Sequence, residues 1–172
     1  TRTKELFLRW SEMAMFTPVM RTHEGNRPDT NFQYYEDEDC MGQLARLVDI
    51  YTMLAPYMKT LVKENAEKGI PVQRPLFLHH EEDKRAYAIQ YEYLLGRDLL
   101  VAPVYLEARE NWDVYLPEGE WVHLWTGDPY QGGDVNVDAP LGYTPAFYLR
   151  DSEYAPLFEE IRRKYGTGAV TD

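Results

Sequence analysis

Phe16-Thr-Pro-Val-Met-Arg-Thr-His-Glu-Gly-Asn-Arg-Pro28 sets a short apolar run against Arg21 and His23, immediately before a glycine-containing turn. A barrel strand delivers polar side chains to an active-site rim in this way. On its N-terminal side, Leu6, Trp10, Met13 and Ala14 recur at helical spacing, with Lys4, Glu5, Arg9 and Glu12 interleaved on the other face. The pattern predicts an amphipathic helix over residues 3–16, stopped by Pro18, and an extended segment over 19–23. A loop follows over 24–39. Helix, strand and long loop in that order fit one βα unit of a barrel.

Beyond the loop, Met41, Leu44, Leu47, Val48, Tyr51, Leu54 and Ala55 keep a helical period, and Met58, Leu61, Val62 and Ala66 carry it to Gly69. Pro56 lacks a backbone donor, so the run should kink near Leu54 or split into two abutting helices. The acidic run Glu36-Asp-Glu-Asp39 stands where exposed helix amides favour negative charge, and reads as a solvated capping face. From residue 70 the period becomes strand-like, with short β-rich runs at 72–78, 99–104, 112–116, 121–125, 135–138 and 146–149. Turn sequences separate them, the pattern of an antiparallel β-sandwich. Residues 86–95 fit a helix or a strand, residues 153–164 read as a closing helix, and the tail beyond Tyr165 as frayed. The expected fold class is α+β, divided at 1–69, 70–150 and 151–172.

A chain of 172 residues with 44 % hydrophobic residues can bury a core. A net charge of −11 argues against a nucleic-acid backbone or an anionic membrane surface as partner. Four Trp and fourteen Tyr suit a neutral, ring-shaped ligand, although an ordinary aromatic core gives the same count. The single Cys40 permits no intrachain disulfide, which makes a cytoplasmic location the expectation. With Thr1 in place of an initiator Met, the sequence reads as a piece of something longer.

Hydrolysis carried by carboxyl groups needs two of them held close together, one as nucleophile and one as acid. Among 29 Asp and Glu residues, only Glu24 stands at the end of a recognisable strand, so no convincing nucleophile and acid pair emerges. His79-His-Glu-Glu-Asp83 lacks metal-ligand spacing and reads as a solvated turn. Trp112, Trp121 and Trp125 read as inward-packing strand residues, with a carbohydrate platform as the alternative.

Several longer motifs accompany the Arg-x-His element: the helix from Ala45-Arg-Leu to Leu61, Pro71-Val-Gln-Arg-Pro-Leu-Phe77, Leu94-Leu-Gly-Arg-Asp-Leu-Leu-Val-Ala-Pro-Val104, Leu116-Pro-Glu-Gly-Glu-Trp121 and Trp125-Thr-Gly127. Together they resemble the C-terminal part of glycoside hydrolase family 31, the retaining α-glycosidases, over roughly residues 1–150. The resemblance implies the last βα unit of a (β/α)8 TIM barrel, then an antiparallel β-sandwich domain and a terminal helix. It implies double displacement through a covalent glycosyl-enzyme, without metal or organic cofactor. Nucleophile and acid/base would sit on earlier barrel strands, leaving no catalytic residue here and predicting an inactive isolated fragment.

By position in the signature, His23 corresponds to the histidine that hydrogen-bonds a sugar hydroxyl, and Arg21 to the arginine bracing the rim. For Arg21 a structural ion pair stays open beside sugar contact. The continuation Thr22-His-Glu-Gly-Asn-Arg-Pro28 and the ending Phe147-Tyr-Leu-Arg-Asp-Ser-Glu153 look most like the sulfoquinovosidase branch, whose sulfonate-reading Arg and Trp would lie upstream. Arg27 reads as a surface residue. The expected partners are a small sugar glycoside and the upstream barrel, with an oligomer as one way to cover exposed edges. The alternatives are a non-catalytic carbohydrate-binding or interaction module, and an α-glucosidase or α-xylosidase of the same family.

Overall fold

The computed structural model describes residues 1–23 and 27–168. Four helices, α1 (Lys4–Ala14), α2 (Glu38–Met53), α3 (Ala55–Lys68) and α4 (Ala155–Tyr165), pack with eight short strands, all paired antiparallel. The strands are β1 (Gln73–Arg74), β2 (Tyr93–Leu95), β3 (Leu99–Val101), β4 (Asn111–Leu116), β5 (Trp121–His123), β6 (Pro129–Tyr130), β7 (Gly133–Asp138) and β8 (Ala146–Leu149). Six of them form one sheet in the order β1-β2-β3-β8-β5-β6, while β4 and β7 pair separately as a ribbon.

Alternation along the central strands sorts the core into two. Leu95, Leu99, Val101, Ala146 and Tyr148 point to one face, where they join Leu47, Ile50, Leu54 and Leu61 of the long helical run and Phe158 and Ile161 of α4. Leu94, Leu100 and Phe147 point to the other, against Val114 and Leu116 of β4 and Val137 of β7. Both faces are therefore covered, and the central strands are apolar without a break. The first cluster also takes in Met15 and Phe16, so all three expected segments share one core.

The break at Pro56 yields two abutting helices, joined at Leu54 in αR geometry. Pro56 lies in the first turn of α3, where its missing N–H is not needed. Gly69, at φ 72°, stops α3, and its N–H bonds Asn65 O at 2.8 Å. The acidic run does cap a helix: Asp37 accepts from Cys40 N–H at 2.7 Å, and Lys4 Nζ reaches Asp37 at 2.7 Å and Asp39 at 3.0 Å. In the turn between β2 and β3, Gly96 has φ 64°, and a Cβ there would collide with the Tyr57 hydroxyl and Leu61.

Helix α1 corrects the sequence reading most. Leu6 and Trp10 are 46 % and 63 % exposed, whereas Arg9 and Glu12 are buried. The inversion has a physical cause. Arg9 Nη2 donates to Arg109 O at 2.7 Å and Ala139 O at 2.8 Å, Arg9 Nη1 meets Glu12 Oε2 at 3.1 Å, and Glu12 accepts the Gly142 N–H. The pair satisfies backbone groups of the later β-region that would otherwise be buried without partners.

Other expectations shift as well. Residues 19–23 form no strand ladder, because no described segment lies alongside to pair with them. The run 72–78 keeps only β1 before Pro75, and Leu76–Leu78 is a 3₁₀ turn. The ambiguous run 86–95 divides between a 3₁₀ turn, Lys84–Tyr87, and β2. In the His79–Asp83 cluster, His79 Nε2 lies 2.8 Å from Arg74 Nη1 and Asp83 accepts from Tyr115 OH, so its members serve separate structural contacts.

Two tests follow from these buried groups. Arg9→Met should lower the free energy of unfolding by about 3–5 kcal/mol in urea titration, because it strands the Glu12 carboxylate. The double variant Arg9→Met/Glu12→Leu should recover only part of that, since the amide and carbonyls stay unpaired. The second test uses pH. Burial lowers His123 to about 4 and raises Glu92 to about 7. Below pH 6.5 the unfolded chain protonates His123 while the folded one resists, so that contribution to stability is lost as pH falls toward 4. The Glu92 contribution is full below 4.5 and lost as pH rises through 7. Thermal melts across pH should show Glu92→Gln gaining on the parent from acid to alkaline pH, and His123→Gln losing less in acid, each on the order of 3 kcal/mol.

Candidate functional site

The segment that carries Arg21 and His23 is anchored at its root. Thr17 Oγ1 donates to Ala14 O at 2.6 Å and, on its other side, lies 3.0 Å from Val19 O. Tyr51 OH donates to Pro18 O at 2.9 Å, and Tyr93 OH to Phe16 O at 3.2 Å. Met20 packs against the helix-side core. Two-residue spacing then leaves Val19, Arg21 and His23 on the same side of an extended chain, and all three are exposed.

Arg2 ties the far end of this segment to the loop beyond it. Its guanidinium donates to His23 O at 3.0 Å and to Phe32 O at 2.7 and 3.0 Å, and lies over the Phe7 ring at 5.3 Å. Arg21, Thr22 and His23 thereby form one wall of a cavity of about 740 Å³, whose other wall is Leu6, Phe7 and Trp10 of α1. The structure brings Arg21 and His23 to the same opening. It adds Arg2, and also Leu6 and Trp10, which the helical pattern of α1 had assigned to the packed face. The available signal was an exposed Trp one turn after Leu6, ambiguous without knowing which face packs.

No Asp or Glu is among the described residues that line this cavity. Glu24 and Asn26, the continuation of the signature, lie outside the described residues. Arg27 is exposed, and its carbonyl accepts the N–H groups of Thr30 and Asn31 in a surface turn. What the wall offers is an imidazole and a guanidinium beside an apolar, aromatic face. That combination suits a polar ring molecule, holding hydroxyl or anionic groups on one side and C–H faces on the other.

The tryptophans do not form a surface row. Trp121 and Trp125 are buried, with indole N–H groups donating to Pro117 O at 2.8 Å and Thr144 O at 2.7 Å. Trp112 alone is half-buried. A coplanar binding platform built from the three is thus ruled out.

Comparison with known proteins gives a consistent assignment. Residues 1–61 match the glycosyl hydrolases family 31 TIM-barrel domain and residues 69–152 the glycosyl hydrolase family 31 C-terminal domain. The sulfoquinovosidases of Escherichia coli and Agrobacterium fabrum are each 53 % identical over 94 % of this chain. The chain spans 24 % of the length of each. A family 31 sulfoquinovosidase from E. rectale, solved with the aza-sugar inhibitor IFGSQ, superimposes with a TM-score of 0.95 at 73 % identity, covering 96 % of this chain and 25 % of that one. The extended segment with Arg21 and His23 falls inside the barrel match, and β1 to β8 inside the C-terminal match. The chain belongs to glycosyl hydrolase family 31, as the end of its TIM barrel and its C-terminal domain.

Proposed function

We propose that this chain is the closing part of a retaining α-glycosidase that hydrolyses O-glycosyl bonds of sulfoquinovose-type sugars. One observation carries the reading: Arg21 and His23 stand together, exposed, on a cavity wall whose opposite side is the uncovered pair Leu6 and Trp10. Leu6 and Trp10, 46 % and 63 % exposed one turn apart, leave an apolar strip of α1 open beside the polar rim. An upstream barrel strand and helix would cover that face and complete the cavity.

In the whole enzyme, two carboxyl groups from that upstream portion act in turn. One attacks the anomeric carbon and the other protonates the leaving oxygen, and then deprotonates the water that releases the sugar. His23 holds a ring hydroxyl in this scheme. An imidazole suits the task, because one nitrogen can be anchored while the other donates or accepts. Arg21 braces the rim carboxylates. The strand ribbon laid on the six-stranded sheet is the small sandwich of the C-terminal domain, and the division at 69/70 and 150/151 is kept. The similarity to sulfoquinovosidases at 53 % and 73 % identity supports the sulfonated sugar over glucose or xylose.

In the full-length protein, His23→Ala should lower kcat/KM for a nitrophenyl α-sulfoquinovoside by roughly a hundredfold or more, the cost of one lost transition-state hydrogen bond. His23→Gln should recover part of it. The isolated 172 residues should show no turnover. Hydrolysis by the isolated chain, abolished by replacing one of its own acidic residues, would remove the upstream-carboxylate reading.

A further inference from the structure

A second cavity, of about 490 Å³, opens on the β-region between residues 88–92 and 105–113. Its size lies within the range of small-molecule sites, roughly 300–1,000 Å³. Three aromatic residues shape it. Tyr91 and Tyr105 are 57 % and 58 % exposed with ring centroids 4.6 Å apart, and Tyr105 meets Trp112 edge to face at 4.9 Å. Large aromatic rings left this open, gathered in a concavity and interleaved with polar groups, are a binding signature more than a packing one.

The wall that carries Tyr105 is held in place. Ala108 adopts φ 54°, an uncommon conformation for a residue with a Cβ, and its N–H donates to Glu5 Oε1 at 2.7 Å. The next carbonyl, Arg109 O, accepts from the buried Arg9 at 2.7 Å. The loop is thus clamped to α1 before any ligand arrives, which reduces the ordering cost of binding.

The polar lining is mixed. Glu92 Oε1 accepts the Tyr115 N–H at 2.9 Å, while its Oε2 is buried with no partner among the described residues. Burial pushes this carboxyl up to about 7, so near neutral pH it both donates and accepts. Asp113 Oδ1 accepts from Asn136 at 2.7 Å, and Gln90, Asn111 and Arg109 complete the rim.

We propose that this cavity is a second sugar site, in which a neutral pyranose ring lays a C–H face on Tyr91 and Tyr105 and bonds its hydroxyls to Glu92 and Asn111. An aromatic corner also suits a quaternary ammonium ion. Arg109 stands beside Glu92 and Asp113 in the lining, and hydroxyls pair with both the donors and the acceptors of that mixed rim, whereas a cation would leave the donors idle. The inference does not depend on the hydrolytic reading of the His23 cavity.

The test uses the full-length protein labelled with fluorotryptophan, with the Trp112 signal assigned through Trp112→Phe. Titration with methyl α-glucoside should shift that signal saturably, and the shift should persist in His23→Ala, which alters the other cavity. Tyr91→Ala should weaken binding about three- to tenfold, whereas Tyr91→Phe, which keeps the ring, should not. No saturable shift, a response to choline in its place, or a response unchanged in Tyr91→Ala would each overturn the proposal. Loss of hydrolysis in His23→Ala with an intact Trp112 response separates the two sites.

Discussion

Two-sided burial of the six-stranded sheet is the constraint on which the remaining structure rests. Strands β3 and β8 pair Leu99 with Tyr148, Leu100 with Phe147 and Val101 with Ala146, so each step along the ladder alternates between two apolar clusters. A one-residue slip would exchange the clusters, placing small Ala146 where Phe147 fills the ribbon side. The register therefore fixes which helices lie on one face and which strands on the other. It also sets the distance between the rim segment and the ribbon, because Phe16 and Met20 pack into the same helix-side cluster as β3 and β8.

That arrangement gives the two cavities different characters. The His23 wall is reached through the anchored root of its segment, and its opposite side is a helix face left uncovered. The Tyr91, Tyr105 and Trp112 cavity is built wholly from the β-region and its loop, and is supported from behind by α1. One opening is faced by an uncovered helix, while the other takes its lining from the β-region and a loop clamped to α1.

Much of this was legible because certain residues leave a backbone no choice. Pro56 broke the long helix where its missing donor required, Gly69 ended α3 in a left-handed turn, and the run 146–149 became β8 because a short unbroken apolar run suits a strand buried on both faces. Period alone could not tell which side of α1 packs. Arg9 and Glu12 looked like a solvated stripe, and only their distant backbone partners reverse the reading. Two-residue strands such as β1 and β6 are too short to carry a period. The extended segment at 19–23 was visible as chain direction, and Arg21 and His23 were found by motif, but the part of α1 in their cavity was not. Tyr91, Tyr105 and Trp112 come together only through the β-region's turns, which no local pattern encodes.

The Arg9 clamp also bears on how the chain is made. Its carbonyl partners lie 100 and 130 residues further along, and Glu12 waits for an amide equally remote. During synthesis α1 emerges long before they do, so its charged pair stays solvated and its inner face unseated. The barrel's closing unit cannot settle until the β-region has folded beneath it. The C-terminal domain then acts as an internal checkpoint: a chain that stops short of Gly142 would leave Glu12 without its backbone amide, and one that stops before Arg109 would leave Arg9 without its carbonyls as well.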